Sequence, residues 1–561
     1  MLKRLIALVL LCGPAALSAQ TVAGTPRVFS HADTLRGSNG PGRSWWDVEF
    51  YDLHVTVSPT DSSITGHNAI TYRVVKALNA APRPRTPHPE VMQIDLQLPL
   101  VIDSIVQDRK RLEFRRDSNA FFVTPATAQT AGSRRTLTVF YHGKPVAAAR
   151  PPWDGGFIWQ RDSVGNRFIA TANEGLGASV WWPNKDFGGD EPDSQRVAIT
   201  VPDSMVNVSN GRLRSVTRGP NGTTWEWFVS SPINNYNISV NAGRYAHFTN
   251  YFPGEKGTLT MDFYPLAIHE DTARVQFKQA ISTIACFEHW FGPFPWYEDG
   301  FKLVEAPHLG MEHQSAVAYG NKYKNGYLGR DLSRTGHGLK WDFIIVHETA
   351  HEWWGNNVSM NDAADMWIHE SFANYAEGIY TECLDGKQAG AEYIIGSRAG
   401  IRNEQPVVGV RGVNNEGSGD MYPKGGNMLH TIRQLVGDDE KWRAILRGAQ
   451  SAFARKTISG AELQAYISKQ AGMDLSKVFE QYLTTIMIPR LEYKLEAGAL
   501  MYRWSNVVPG FDMPVDVAMP DAPNTWLRIR PTTAWSSMPA GTMQPSGKLT
   551  IRPDFYVTAQ P

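Results

Sequence analysis

Cysteine is nearly absent from this chain: three in 561 residues, at positions 12, 286 and 383. That count rules out a disulfide framework or a cysteine-rich metal cluster as the basis of the fold. The expectation for Cys286 and Cys383 is two buried free thiols. Excess charge of either sign is also missing, since Lys+Arg and Asp+Glu each total 55, and no overall field draws the chain to nucleic acid or an anionic membrane. Nor does any apolar run reach the roughly 20 residues that span a bilayer, so stable membrane insertion is not expected. The run at residues 5–11 follows Lys3 and Arg4 and precedes Gly13, Pro14 and small residues through Ser18 and Ala19. It reads as a cleavable signal peptide over 1–19, giving an exported chain, periplasmic or secreted, that starts near Gln20. Leu11 stands ahead of Cys12 where a lipoprotein signal carries a small residue, which argues against lipidation.

At this length one hydrophobic core is insufficient, and several domains are expected. After a leader at 20–45, alternation of period two dominates residues 46–250, as in Leu53, Val55, Val57, then Ile70, Tyr72, Val74, then Leu137, Val139, Tyr141. This predicts a β-rich domain, with the Pro-rich stretch at 81–90 as a surface loop within it. Helical periodicity takes over across 251–487, with predicted helices at 272–290, 339–354, 366–384 and 427–435 and few strand signals. Alternation returns in 488–561 through Leu491, Tyr493, Leu495, Leu527, Ile529, Leu549 and Ile551, predicting a small C-terminal β module. The fold class is multidomain α+β, and no internal repeat is visible.

The strongest chemical signal is His347-Glu348-Thr349-Ala350-His351. Two histidines four apart lie one above the other on a helix face and can share a metal ion. Zinc suits neutral imidazole and keeps a position open for water in catalytic sites. Glu348, about 100° around the helix from His347, can face that water as general base without being a ligand. Gly355 is read as the end of this helix. A third ligand is available in Glu370, 18 residues beyond His351 in the predicted helical segment Trp367-Ile368-His369-Glu370-Ser371-Phe372-Ala373. Two antiparallel helices joined by a short loop bring it to the metal.

These residues resemble the gluzincin metallopeptidases of the aminopeptidase N and leukotriene A hydrolase type, whose hallmark is HExxH, 18 residues, then Glu in a WLNEGFA-like segment. Trp353-Trp354-Gly355-Asn356-Asn357-Val358 is similar to the residues that follow the second histidine there. The resemblance covers roughly residues 46–490. It implies a saddle-like N-terminal β-rich domain and a thermolysin-like catalytic domain. It also implies one Zn2+ ion on His347, His351 and Glu370, with Glu348 as base. Leu309-Gly310-Met311-Glu312-His313-Gln314 resembles the family's GxMEN motif, with His313 in place of Asn. Gly310, Met311 and Glu312 are thereby implied in substrate binding, Glu312 holding a free α-amino group. Asn173-Glu174-Gly175, ahead of Trp181-Trp182-Pro183, is similar to the segment that sends a second acidic or amide group to that amine, which implicates Glu174. The usual arginine of that segment is absent, and Ser179 stands nearby. Met421-Tyr422-Pro423-Lys424-Gly425 resembles the YxKG segment, whose tyrosine donates to the oxyanion, and Pro423 suits a first helical turn.

The expected activity is hydrolysis of the N-terminal peptide bond of peptides with a free N-terminus. One alternative is a zinc endopeptidase, disfavoured because Glu312 repels a substrate carbonyl and welcomes an ammonium. Another is a catalytically silent peptide-binding relative, disfavoured because His347, Glu348, His351 and Glu370 are all in place. No feature supports an epoxide hydrolase activity.

Overall fold

The computed structural model describes residues 28–78, 91–496, 498–520, 522–523, 525–539 and 548–561. The expected signal peptide at 1–19 and the Pro-rich loop at 81–90 lie outside the described residues.

The alternating residues named above face inward. In the strands Trp46–Ser58, Ser63–Val74 and Arg134–Gly143 those alternating apolar positions are buried, and most of the positions between, Phe50 and Phe140 included, are partly or well exposed. Burying one face of each strand is what their period dictates. All three belong to an eight-stranded mixed sheet, in which Trp46–Ser58 pairs antiparallel with Ser63–Val74 and parallel with Ser194–Val201. A four-stranded sheet places Arg167–Ala172 between Gly156–Arg161 and Asn241–Gly243, and its exit leads directly to Asn173 and Glu174.

The segment expected as a leader is instead built into this domain. Ser30 caps a short helix, His31–Gly37, through a capping box. Arg43 is fully buried against Asp95 at 2.5 Å. Arg36 donates to the Gly175 carbonyl, and Asn414 N donates to Asp33 O at 3.2 Å. The segment therefore straps the loop carrying Glu174 to a loop of the helical region.

That region also departs from expectation at its start, where a five-stranded sheet runs Phe248–Gly254, Gly257–Tyr264, Phe301–Glu305, Val317–Tyr319, with Gly310–Met311 at its edge. The boundary expected at 250 falls inside the first strand. Its last three strands are buried at every position, so they carry no alternation to read. The predicted helix 272–290 is two helices, Glu270–Gln276 and α1 (Gln279–Phe291). Next come α2 (Phe343–Ala350), α3 (Trp367–Asp385) and α4 (Pro423–Val436).

Residues 488–561 form strands as predicted, in sheets around Arg490–Glu496 and Val515–Ala518. They do not form a separate core: Leu491, Tyr493 and Trp504 share one apolar cluster with Trp367 and Phe479, while the N-terminal sheets hold another. The His430–Asp554 pair at 2.8 Å and the bond from Tyr556 N to Thr431 Oγ1 at 3.1 Å seat this module on the back of α4.

The free-thiol expectation is overturned. Cys286 on α1 and Cys383 on α3 are disulfide-bonded with Cα atoms 6.2 Å apart, and Cys383 is exposed. The partners are 97 positions apart, so only the packing of α1 against α3 reveals the pair. Closing so long a loop restricts the unfolded chain, and the Cys286→Ser/Cys383→Ser double variant is expected to lose about 2–4 kcal/mol of stability. Chemical denaturation measures this; an unchanged midpoint would show that the bridge contributes nothing.

Candidate functional site

Helix α2 is short and wholly buried. Asp342 caps it, Oδ1 accepting from Ile344 N at 3.1 Å, while Oδ2 accepts from Tyr319 OH at 2.7 Å. The helix ends at Ala350 rather than near Gly355, yet His351 keeps helical dihedrals at the C-cap, so the two imidazoles remain one turn apart. Gly355, with φ +126°, marks the turn back instead. A Cβ there would stand 3.2 Å from His351 Nδ1 and 3.3 Å from His369 Cγ, which explains the glycine. The link from α2 to α3 is longer than a simple turn and contains the strand Val358–Met360. Trp354 stacks on Phe372 with centroids 3.9 Å apart and holds the two helices together.

The packing brings the three predicted ligands to one point. His347 Nε2 and His351 Nε2 are 3.4 Å apart, and Glu370 Oε2 lies 3.4 Å from the first and 3.6 Å from the second. Each imidazole has its other nitrogen engaged: His347 Nδ1 donates to Glu377 Oε1 at 2.8 Å, and His351 Nδ1 to the Trp354 carbonyl at 2.9 Å. These bonds fix the tautomers that leave both Nε2 lone pairs free. Glu370 Oε2 is buried and without a hydrogen-bond partner. Donors bound tetrahedrally to zinc at about 2.0–2.2 Å lie about 3.4 Å from one another, so the three residues fit that ion. Among the described residues this is the one group of three or more such side chains close enough to share a metal.

His347, His351 and Glu370 line a cavity of about 600 Å³, and Glu348 lines it with them. Burial, and then the charges of Glu312 and Glu370 against the relief from His347, push its carboxyl well above the usual range. The edge strand presses on it: a Cβ at Gly310 would lie 2.7 Å from Glu348 Oε1 and 2.8 Å from Ile344 Cγ2. Gly310 therefore lets the strand approach α2, and Gly310 and Met311 both line the cavity.

Tyr422 sits at the N-cap of α4, Pro423 beginning the helix. Its ring stacks on His347 with centroids 5.9 Å apart. Burial, then the charge of Glu370, pushes its phenol well above the usual value, so the hydroxyl stays a neutral donor. Two glycines fix its position. A Cβ at Gly425 would fall 1.8 Å from Ser371 Oγ, and one at Gly426 2.3 Å from Asn374 Oδ1, so α4 lies directly on the ligand-bearing α3. Lys424 points elsewhere, its Nζ donating to Thr485 O at 2.6 Å.

Glu312 is buried at one end of the cavity, where Oε1 accepts from Tyr236 OH at 2.7 Å. Glu174, half-buried, joins it from the N-terminal domain; burial, then Glu312, pushes its carboxyl well up. Such mutual repulsion among carboxylates is relieved by bound cations. His313 turns away from the cavity into a buried pair with His308, and burial pushes it down to about 3, so it is neutral. At the corner where the arginine is missing, Ser179 Oγ donates to Asp186 Oδ2 at 2.5 Å. Arg36 supplies the positive charge there, since Asp186 and Arg36 Nη2 both lie against Gly177.

Sequence reasoning missed Glu377 and Tyr236. Glu377 is seven positions after Glu370 and so on the same face of α3, a signal that could have found it. Tyr236, in an Asn-rich segment far from any motif, carries no such signal.

Residues 276–482 match the Peptidase family M1 domain. The Lactococcus lactis subsp. lactis protein named Aminopeptidase N is 27% identical over 474 residues, 78% of this chain and 50% of its own length. Leucyl aminopeptidase of Saccharolobus solfataricus is 23% identical over 303 residues, 52% of this chain and 38% of its own. The chain thus spans half or less of these curated relatives. The solved M1 zinc metallopeptidase from Deinococcus radiodurans shares the fold with TM-score 0.66 and 21% identity, over 80% of this chain and 95% of that one.

Removing the charge behind a ligating histidine typically weakens metal binding about 10- to 100-fold. Glu377→Gln is expected to do so here, read as zinc retained after dialysis against graded chelator; wild-type retention would refute the role of Glu377.

Proposed function

We propose that this chain, a gluzincin of the aminopeptidase N type through its peptidase family M1 domain at residues 276–482, is a zinc metalloaminopeptidase acting on peptides with a free N-terminus. The observation that carries the reading is the meeting of His347 Nε2, His351 Nε2 and Glu370 Oε2 beside a cavity that has Glu312 and Glu174 at one end. The relatives' names support the same activity.

His347, His351 and Glu370 would hold the zinc, which when bound supplies a Lewis acid that polarises a carbonyl and acidifies water. The remaining work falls to the chain's own side chains. Glu312 and Glu174 receive the α-ammonium by charge-assisted bonds, Tyr236 orienting Glu312, so that the first peptide bond lies at the metal ligands. Glu348 accepts a proton from the attacking water and delivers it to the departing amide nitrogen. Tyr422 donates its hydroxyl hydrogen to the carbonyl oxygen as charge develops there. We also propose that the protein is exported, a reading supported by the Cys286–Cys383 bond, which forms in oxidising compartments.

Aminoacyl anilides and their N-acetylated counterparts, assayed with and without chelator, test the activity. Hydrolysis of the free-amine series alone, abolished by chelator, is expected; a preference for the acetylated series would refute it. Glu348→Gln should lower turnover by about 10²- to 10⁴-fold while zinc stays bound. Tyr422→Phe should cut kcat about 10²-fold with a smaller change in KM; an effect on KM alone would make Tyr422 a binding residue.

A further inference from the structure

The loop between the five-stranded sheet and α2 takes no part in this mechanism, yet Tyr327, Arg330, Asp331, Leu332 and Arg334 line the same cavity. The loop is firmly built. Asn321 accepts from Leu328 N at 2.8 Å and donates to the α2 cap Asp342 at 2.8 Å, and Gly326 N donates to Trp341 O at 2.7 Å. Tyr327 and Arg330 exchange backbone bonds of 2.8 and 3.0 Å. Leu328 and Arg334 are held at φ +51° and +61°, a conformation non-glycine residues adopt at a cost that surrounding structure must sustain.

The acid of this loop is occupied within it. Asp331 accepts from Ser333 N at 2.9 Å, Ser333 Oγ at 2.7 Å and Gly336 N at 2.5 Å. Arg330 and Arg334 are exposed and have no ion pair or side-chain hydrogen bond among the described residues. They are the two non-histidine cations of a cavity whose other charged lining groups are all acidic. The cavity is therefore bipolar, with carboxylates at the ammonium end and guanidinium groups elsewhere on its rim.

Helix α2 orders these poles. The Glu312 carbonyl accepts from Asn356 Nδ2 at 2.9 Å, beyond the C-terminal end of α2. The Tyr327 ring lies 5.3 Å from that of Phe343, at the N-terminal end. His347 and His351 stand between. At about 1.5 Å rise per residue, Phe343 to His351 spans about 12 Å, and an extended peptide advances about 3.3–3.6 Å per residue. A peptide with its ammonium at Glu312 and its first peptide bond at the metal ligands leads its following residues toward Arg330 and Arg334.

Resting on the aminopeptidase reading, we infer that Arg330 and Arg334 receive the C-terminal carboxylate of short peptides, so that the substrate class is peptides of about two to four residues. Guanidinium matches carboxylate geometry in a way an amide cannot imitate. The test compares tripeptides as free acids with the same tripeptides as C-terminal amides, with aminoacyl anilides alongside. The wild-type enzyme is expected to favour the acids by roughly tenfold in kcat/KM, the scale of a partly screened ion pair. The preference should vanish in Arg330→Ala/Arg334→Ala and reverse in Arg330→Glu/Arg334→Glu. Equal wild-type rates for acid and amide would overturn the inference without recourse to any variant, as would a preference that survives in the double alanine variant. Absence of turnover of the anilides and of every tripeptide would instead overturn the aminopeptidase reading itself.

Discussion

Three lone pairs facing one another across 3.4–3.6 Å inside a protein, two from His347 and His351 and one from Glu370, are at rest only with a cation between them. Burial without a partner is costly for each such group, and the surrounding structure leaves none of them another outlet. Glu377 and the Trp354 carbonyl take the opposite imidazole nitrogens. The backbone of α3 and the Trp354–Phe372 stack set where Glu370 arrives. The energy of folding thus goes partly into holding three donor atoms at one point, a common arrangement for a metal whose binding must be both tight and geometrically defined.

The rest of the architecture delivers side chains to that point from separate origins. Helix α2 and its C-cap contribute two ligands and Glu348, the end of the edge strand leads to Glu312, the N-cap of α4 is Tyr422, and the N-terminal domain contributes Glu174 and Tyr236. Among the described residues there are two large apolar cores, and a small third cluster, in which Ile158, Ala170 and Ala172 meet Ala306, Met311 and Ala318, helps keep Glu174 in place beside the ligands. The strap formed by His31–Gly37, with Arg36 on Gly175 and Asp33 on Asn414, is a further tie, and the Tyr236–Glu312 bond is another.

Much of this was legible in the sequence where chemistry and spacing are local. HExxH and the Glu370 segment located the ligands, period-two alternation located the strands with one exposed face, and Pro423 located the start of α4. Other features were hidden for physical reasons. Phe301–Glu305 and Gly310–Met311 are buried on both sides and lose the alternation that reveals a strand. Cys286 and Cys383 meet only because two helices pack. Arg330 and Arg334 carry no motif, and their lack of partners is a property of the folded loop around Asp331. The N-terminal segment looked like a leader because a seven-residue helix leaves little periodicity to read.

Where Gly425 meets Ser371, the serine hydroxymethyl group alone fills the space between α4 and α3, and a Cβ on the glycine would fall on its Oγ. Wherever α3 goes, α4 must follow at the distance set by the small side chains of Ser371 and Asn374 against its two glycines, which fixes how far Tyr422 stands from the metal ligands. A joint of that kind leaves no room for a larger side chain on either helix. Tuning what is cut must therefore fall to the cavity's rim, to loops such as those carrying Glu174 and Arg330, while the centre stays as it is.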